Sequence, residues 1–266
     1  MNQKRINLNA DLGESFGAWK MGNDPALLQI VKSANVACGF HAGDPLVMQH
    51  TVRLCLAENV SIGAHPSFPD LQGFGRRVMV MPAKELEAAL IYQIGALQAI
   101  ALTEGADVTH VKPHGALHNV ACADEAVATT IVNAVHKLDK NLPLLVPPYS
   151  SLAKVAEERG HPVRYEVFAD RAYLEDGQLV PRSQPGAVLH ESNECVEHVL
   201  RMLDAQAIVT LKGSHLPCHI DSICVHGDGP QAVETALALR EALVRKDYVI
   251  STLSEINNRS RIHSET

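Results

Sequence analysis

Val108-Thr109-His110-Val111-Lys112-Pro113-His114-Gly115-Ala116-Leu117 is the stretch that decides how this chain is organised. Its first four residues are mostly β-branched. Such side chains crowd less on a pleated strand than in a helix, so Val108 to Val111 reads as a strand. Pro113 lacks an amide hydrogen and cannot continue a central ladder, so the strand ends beside it. Gly115 then lets the backbone turn into the helical pattern that follows. Lys112 and His114 therefore sit at the carboxyl end of a strand, where parallel α/β folds place their chemistry.

The same ending recurs on both sides of this stretch. Ile6 to Ala10 alternates apolar and polar residues as a first strand and runs into Asp11 and Glu14. Ala34 to Cys38 leads to His41 and Asp44, and Val60 to Ala64 leads to His65-Pro66. Leu142 to Val146 is a fifth strand; Val163 to Phe168 is a sixth, associated with Glu166, Asp170 and Arg171. Ser222 to Val225 ends in His226-Gly227-Asp228-Gly229. Helical stretches separate the strands. Asp24-Pro25 and Asp44-Pro45 each place a capping carboxylate before a proline suited to the first helical turn. Ala83 to Glu104 repeats apolar residues at helical spacing, and Gly105 supplies its C-cap.

Two long excursions interrupt this cadence. Ser67 to Met81 carries Arg76 and Arg77, and residues 172–191 carry Val180-Pro181-Arg182-Ser183. Loops of that length in a compact domain usually have a function. A hairpin is expected around Ile208 to His219, and the polar tail after about Ser251 is expected to fray. His110 is expected to face solvent or a helix, and His50, His136, His161 and His198 to lie at the surface.

Strand and helix alternate about seven times without a linker-like break, which implies parallel strands with right-handed crossovers in one domain spanning 1–266. A closed or distorted β/α barrel fits best, because polar clusters at nearly every strand end are what a barrel mouth requires. An open doubly wound sheet is the alternative.

The chain has 266 residues, 46% hydrophobic and 20% charged, with a formal net charge of −7 and no block of like charge. A nucleic-acid or anionic membrane surface is disfavoured by that balance. Six cysteines show no C-x-x-C pair, which suits reduced thiols and a cytoplasmic protein. No apolar run is expected to reach the roughly 20 residues that span a bilayer. There is no P-loop, no G-x-G-x-x-G after a strand and no G-x-S-x-G elbow. Cys38 sits in a strand, which favours a core role over a nucleophilic one.

The strand-end residues can be weighed individually. Asp44 before proline is equally a helix cap. His41-Ala-Gly-Asp-Pro45 and His226-Gly-Asp-Gly-Pro230 share a cadence that brings backbone amides and a helix start towards an anion. Asp11 with His41 and His65, or with His114, offers the carboxylate and imidazoles of a divalent-metal site, although no H-E-x-x-H spacing accompanies them.

Seven runs carry a family resemblance: N-L-N-A-D-L-G-E from Asn7, A-C-G-F-H-A-G-D from Ala37, I-G-A-H-P-S-F-P-D from Ile62, V-K-P-H-G-A-L from Val111, E-V-F-A-D-R-A-Y from Glu166, L-V-P-R-S-Q from Leu179 and C-V-H-G-D-G from Cys224. In that order they resemble the LamB/YcsF family over residues 7–229. One position departs: the family often has tyrosine where this chain has His118. The resemblance implies an α/β fold, a distorted (β/α)7-type barrel of the glycoside hydrolase/deacetylase type. It further implies one component of an ATP-dependent 5-oxoprolinase, working with two partner subunits, B and C. That enzyme opens 5-oxo-L-proline to L-glutamate while ATP, taken with magnesium, yields ADP and phosphate.

Opening a stable lactam this way needs cations for phosphate, a base for water and an acid for the ring nitrogen. On that reading Lys112 and Arg171 face the phosphate or oxyanion. Asp11 or Glu166 orients water, His65 or His114 carries protons, and Asp170 completes the catalytic set. Glu14, His41, Asp44, His226, Gly227, Asp228 and Gly229 bind substrate or phosphate, with Arg76 and Arg182 as carboxylate clamps on the long loops. Replacing Lys112 with methionine is expected to abolish turnover with the fold intact. The rival readings are a stand-alone metal-dependent deacetylase or glycosidase-like hydrolase, and a non-catalytic scaffold.

Overall fold

The strands that the sequence predicts form, and they close on themselves. The computed structural model describes residues 4–225 and 231–260. Its strands are β1 (Lys4–Leu12), β2 (Ser33–Ala37), β3 (Ser61–His65), β4 (Val108–Val111), β5 (Leu144–Val146), β6 (Val163–Phe168), β7 (Ala207–Val209), β8 (His215–Pro217), β9 (Ser222–Val225) and β10 (Tyr248–Ile250). The helices are α1 (Asp24–Leu28), α2 (Pro45–Ala57), α3 (Ala83–Thr103), α4 (Gly115–Ala123), α5 (Glu125–Leu138), α6 (Ser151–Glu158), α7 (Ser192–Ala205), α8 (Ala232–Arg245) and α9 (Leu253–Ser260).

Strands β1-β2-β3-β4-β5-β6-β9 pair side by side in parallel, and β1 pairs back to β9 from Asn7↔Ser222 to Ala10↔Val225. That second pairing makes a closed barrel of seven strands and rules out the open sheet. The barrel is distorted on one side. A single register pair, Val111↔Leu144, joins β4 to β5, and the β3–β4 register shifts between Ile62 and Gly63. Strands β7 and β8 form the expected hairpin as a separate antiparallel pair.

The alternation along β1 sorts its side chains by face. Ile6, Leu8 and Ala10 join the apolar core beneath the helices. Asn7, Asn9 and Asp11 turn the other way, and so do their counterparts on neighbouring strands. The Asn7 side chain meets Ser33 and Ser222, and Asn9 meets Ser222. Asn35 donates from Nδ2 to Asn9 Oδ1 and Asp11 Oδ1, both at 2.8 Å, and accepts from His110 Nε2 at 2.9 Å. The barrel lumen is thus a hydrogen-bonded polar stack rather than a plug of branched aliphatics. Gly63 makes room for it, since a Cβ there would lie 2.1 Å from His110 Nε2.

Several expectations are corrected. His110 is buried in the lumen, not facing solvent or a helix. His161 and His198 are buried as well, each with Nε2 on a backbone carbonyl, of Leu142 and Arg171 respectively. The tail after Ser251, expected to fray, instead starts as helix α9, and strand β10 before it is unforeseen. Strand β10 pairs with the start of β1, Ser251 O accepts from Asn7 Nδ2, and Leu253 is fully buried. Three strand residues followed by one polar helix are too short a signal to read locally. Helix α3, with 21 residues, is long and apolar enough to cross a membrane by length and composition, contrary to expectation. Its Leu86, Leu90, Ile94 and Leu97 stripe is buried in the core, and the helix packs on α5.

Asp44, expected to bind substrate or phosphate, instead ties local structure together. Its Oδ1 accepts from the amides of Leu46 and Val47 at the start of α2, and Oδ2 accepts from Gly17. Asp44→Ala should therefore destabilise the chain by about 1 kcal/mol in chemical denaturation, the usual cost of a lost N-cap. The Gly17 amide, then that of Val47, holds this carboxyl below its ordinary value. The stabilisation is complete above about pH 4 and disappears as pH falls through the lowered folded value. Asn35→Leu should cost about 2–6 kcal/mol in the same measurement. It strands His110 Nε2–H and Asn9 Oδ1 in the lumen, and each orphaned buried group costs about 1–3 kcal/mol.

Candidate active site

The carboxyl ends of the strands open into a cavity of about 630 Å³. Its floor is Asp11, Glu14, His65, Lys112 and His114. Helix α4 contributes His118, Asn119 and Cys122 to the wall, and the two long excursions cover it with Phe74, Arg76, Arg171 and the segment from Asp176 to Arg182. Of the residues singled out in the sequence, Asp11, Glu14, His65, Arg76, Lys112, His114, Arg171 and Arg182 all line this one space.

His41 and Glu166 lie directly behind the floor, both buried. Asp44 caps α2 instead. Asp170 does not line the cavity, and its carbonyl accepts from Leu189 N at the base of the second excursion. His226, Gly227, Asp228 and Gly229 lie outside the described residues.

Lys112 is the charged centre of the floor. Its Nζ lies 3.2 Å from Asp11 Oδ1, 3.1 Å from Glu166 Oε2 and 3.0 Å from Cys224 Sγ. Burial alone would lower this ammonium, but the Asp11 and Glu166 carboxylates hold it well above its ordinary value. Burial pushes the Cys224 thiol itself far up, so the sulfur is a neutral neighbour and the carboxylates supply the attraction. Burial also raises the Glu166 carboxyl, against the opposing pull of Lys112. Glu166 Oε1 has no hydrogen-bond partner among the described residues. Glu166 belongs to the lumen stack rather than to the strand end.

The second group is histidine-rich. His65 Nδ1 lies 2.7 Å from Lys112 O, and His114 Nε2 lies 2.8 Å from Phe74 O. Their other nitrogens, His65 Nε2 and His114 Nδ1, face each other at 3.0 Å. Glu14 Oε1 is 3.6 Å from His114 Nδ1 and 3.1 Å from His41 Nε2. The His41 ring stacks on His114 at 3.7 Å. Burial, aided by neighbouring imidazoles, keeps His41 and His114 well below their ordinary range and hence neutral. Ligand atoms of Glu14, His41, His65 and His114 all lie within 4.8 Å of one another, so this buried group can hold a metal. The sequence pattern groups Asp11 with His41 and His65 instead. Asp11 Oδ2 stays beside His65 Nε2 at 3.4 Å, but Glu14 and His114 complete the cluster.

The first excursion is folded onto this cluster. Asp70 accepts from the Gly73 and Arg77 amides and pairs with the Arg77 guanidinium. Phe74 lies edge-on to His41 and His114, and Arg76 sits over its ring. Gly75 adopts φ +64°, and a Cβ there would lie within 2.9 Å of His114, Ser67 and His41. In the second excursion the Arg171 guanidinium donates to Val180 O at 2.8 Å and reaches Ala187 O at 3.4 Å, while lining the cavity.

Sequence reasoning missed Asn35, His110, Cys224 and Cys122 as parts or supports of this site. The period-2 polar pattern of β1 was the one local signal for the lumen residues. Cys38 is a core thiol: it is buried, donates to Val36 O, and is pushed up to about 12 by burial. His118 has its Nε2 3.6 Å from Cys122 Sγ and a buried Nδ1 with no partner among the described residues; burial pushes it down to about 3.

Known proteins match this architecture closely. The sequence profile of the LamB/YcsF family matches residues 6–258. A protein of Azoarcus sp. strain BH72, named as the A subunit of 5-oxoprolinase, is 58% identical over 252 residues, covering 95% of this chain and 98% of that relative. The crystal structure of a lactam utilization protein from Thermus thermophilus superposes with a TM-score of 0.89 at 44% identity, covering 93% of this chain and 99% of the other. The catalytic domain of a peptidoglycan N-acetylglucosamine deacetylase from Eubacterium rectale matches at a TM-score of 0.51 and 11% identity, over 94% of this chain and 89% of that domain, which shows a shared barrel type alone. With the profile spanning nearly its whole length and a relative this similar covered end to end, the chain belongs to the LamB/YcsF family.

Proposed function

We propose that this chain is the lactam-opening component of an ATP-dependent 5-oxoprolinase, acting in the cytoplasm with two partner subunits, B and C. The observation that carries the reading is the Lys112 ammonium, held by Asp11 and Glu166 on the floor of a cavity covered by Arg76, Arg171 and Arg182. Cavities of roughly 300–1,000 Å³ suit small molecules, and 5-oxoproline is a small anion with one amide to open. The relatives' names supply the substrate class, and six free cysteines suit a reducing compartment.

In this mechanism Arg76 or Arg182 pairs with the substrate carboxylate, and the lactam oxygen points at Lys112. The γ-phosphoryl group of ATP passes to that oxygen, releasing ADP and making C5 electrophilic. Lys112 and Arg171 offset the charge on the phosphorylated oxygen. Asp11 takes a proton from the attacking water and returns it to the ring nitrogen as the C5–N bond breaks, while His65 and His114 keep their own protons on Lys112 O and Phe74 O. A second water then cleaves the resulting γ-glutamyl phosphate, releasing phosphate and leaving L-glutamate. The buried Glu/His/His/His cluster favours a second reading, a hydrolase of the same barrel that opens an amide without ATP.

Glutamate release from 5-oxoproline, measured with and without ATP and with and without both partners, separates the readings. Turnover that needs ATP and partners is expected; turnover by the chain alone without ATP supports the second reading. Lys112→Met should abolish turnover, and it should also destabilise the fold, because it leaves the buried Glu166 carboxyl without its cation. Removing one partner of a buried ionic group costs about 3–5 kcal/mol. Adding Glu166→Gln to that variant should recover much of the stability and none of the activity, as read by thermal unfolding and turnover. His118→Tyr, restoring the residue common in the family, should retain activity within about threefold, because His118 forms the wall rather than the floor.

A further inference from the structure

Two imidazole lone pairs point at each other on the cavity floor. A backbone carbonyl only accepts hydrogen bonds, so Lys112 O fixes the proton of His65 on Nδ1, and Phe74 O fixes that of His114 on Nε2. The nitrogens left facing each other at 3.0 Å, His65 Nε2 and His114 Nδ1, are then both acceptors. Glu14 Oε1 and Asp11 Oδ2 close in at 3.6 and 3.4 Å from His114 Nδ1 and His65 Nε2. Two buried lone pairs aimed at each other and flanked by carboxylate oxygens call for a cation in their midst.

We infer that Glu14 Oε1, His65 Nε2 and His114 Nδ1 form a site for a zinc-like divalent transition metal, with His41 positioning the Glu14 carboxylate. Atoms bound about 2.0–2.1 Å from one tetrahedral centre lie about 3.4 Å apart, close to the separations found here. Both ligating imidazoles already make the backbone-carbonyl hydrogen bond that orients metal-bound histidines. His41 Nε2, 3.1 Å from Glu14 Oε1, supplies the corresponding bond to the carboxylate. All three ligands line the cavity, so the metal faces a bound substrate.

Two nitrogens and one oxygen select a borderline metal such as zinc. Magnesium favours all-oxygen sites and keeps its waters, so the magnesium that accompanies ATP is a different ion in a different place. The inference stands whichever reaction the cavity performs, and its readout is metal rather than turnover.

The test is titration of the full chain, stripped with a chelator, using zinc chloride by calorimetry and cobalt(II) by visible absorption. One equivalent per chain, cobalt(II) ligand-field bands and no displacement by millimolar magnesium are expected. His114→Ala and His65→Gln, each shown folded by circular dichroism, should each lose more than about a hundredfold in zinc affinity. His41→Ala should keep the stoichiometry and weaken binding roughly 10–100-fold, the usual effect of removing a ligand's orienting partner. The inference is overturned if the folded wild-type chain binds no stoichiometric zinc. It also fails if zinc binding survives undiminished in either folded ligand variant, or if magnesium displaces zinc.

Discussion

An ammonium group buried between two carboxylates governs the interior of this protein. Lys112 cannot leave its place without stranding Asp11 and Glu166 in a medium where uncompensated charge is costly. Each partner is anchored in turn. Asp11 takes an amide hydrogen from Asn35, Asn35 is fixed by Asn9 and His110, and Glu166 Oε2 lies within reach of Asn9. The network runs down the lumen to Asn7, Ser33 and Ser222. Residues on five strands are thereby held in one register by polar contacts that an aliphatic lumen would lack.

This polar lumen and the cavity floor are continuous. Lys112 belongs to both, since its side chain joins the carboxylates and its carbonyl sets the tautomer of His65. The ion group and the histidine group are therefore coupled through one residue. The excursions complete the arrangement from above: Phe74 and Gly75 fix the far side of His114, and Arg171 pins the second excursion by its carbonyls. A preorganised floor with loops folded onto it suits chemistry in which charge develops on a small substrate.

Much of this was legible locally. The β-branched runs, the Asp44 cap before Pro45 and the period-2 pattern of β1 are near-neighbour effects, so strands β1 to β6, β9 and the longer helices fall within a few residues of their expected places. Asp24 departs from its expected role, since Asn23 caps α1 and Asp24 Oδ2 accepts from Gly13 N. What escaped was short or non-local. Strand β10 has three residues and exists because β1 overhangs the barrel to receive it. His110, His161 and His198 looked like surface histidines because nothing in their immediate sequence reveals a distant carbonyl or amide partner.

By itself the sequence determined an alternating α/β chain with its reactive side chains at strand ends, because periodicity, capping and proline geometry act over a handful of residues. It determined the family as well, through motifs spread over nearly the whole chain. Only the tertiary structure decided which of those residues meet. Closing β1 on β9 brings Cys224 and Glu166 against Lys112, and Glu14 rather than Asp11 completes the histidine group. Asp44 and Asp170, alike in sequence to their neighbours, were placed outside the cavity. The physical reason is that strand closure and stagger set distances between residues a hundred positions apart, and no local preference encodes them.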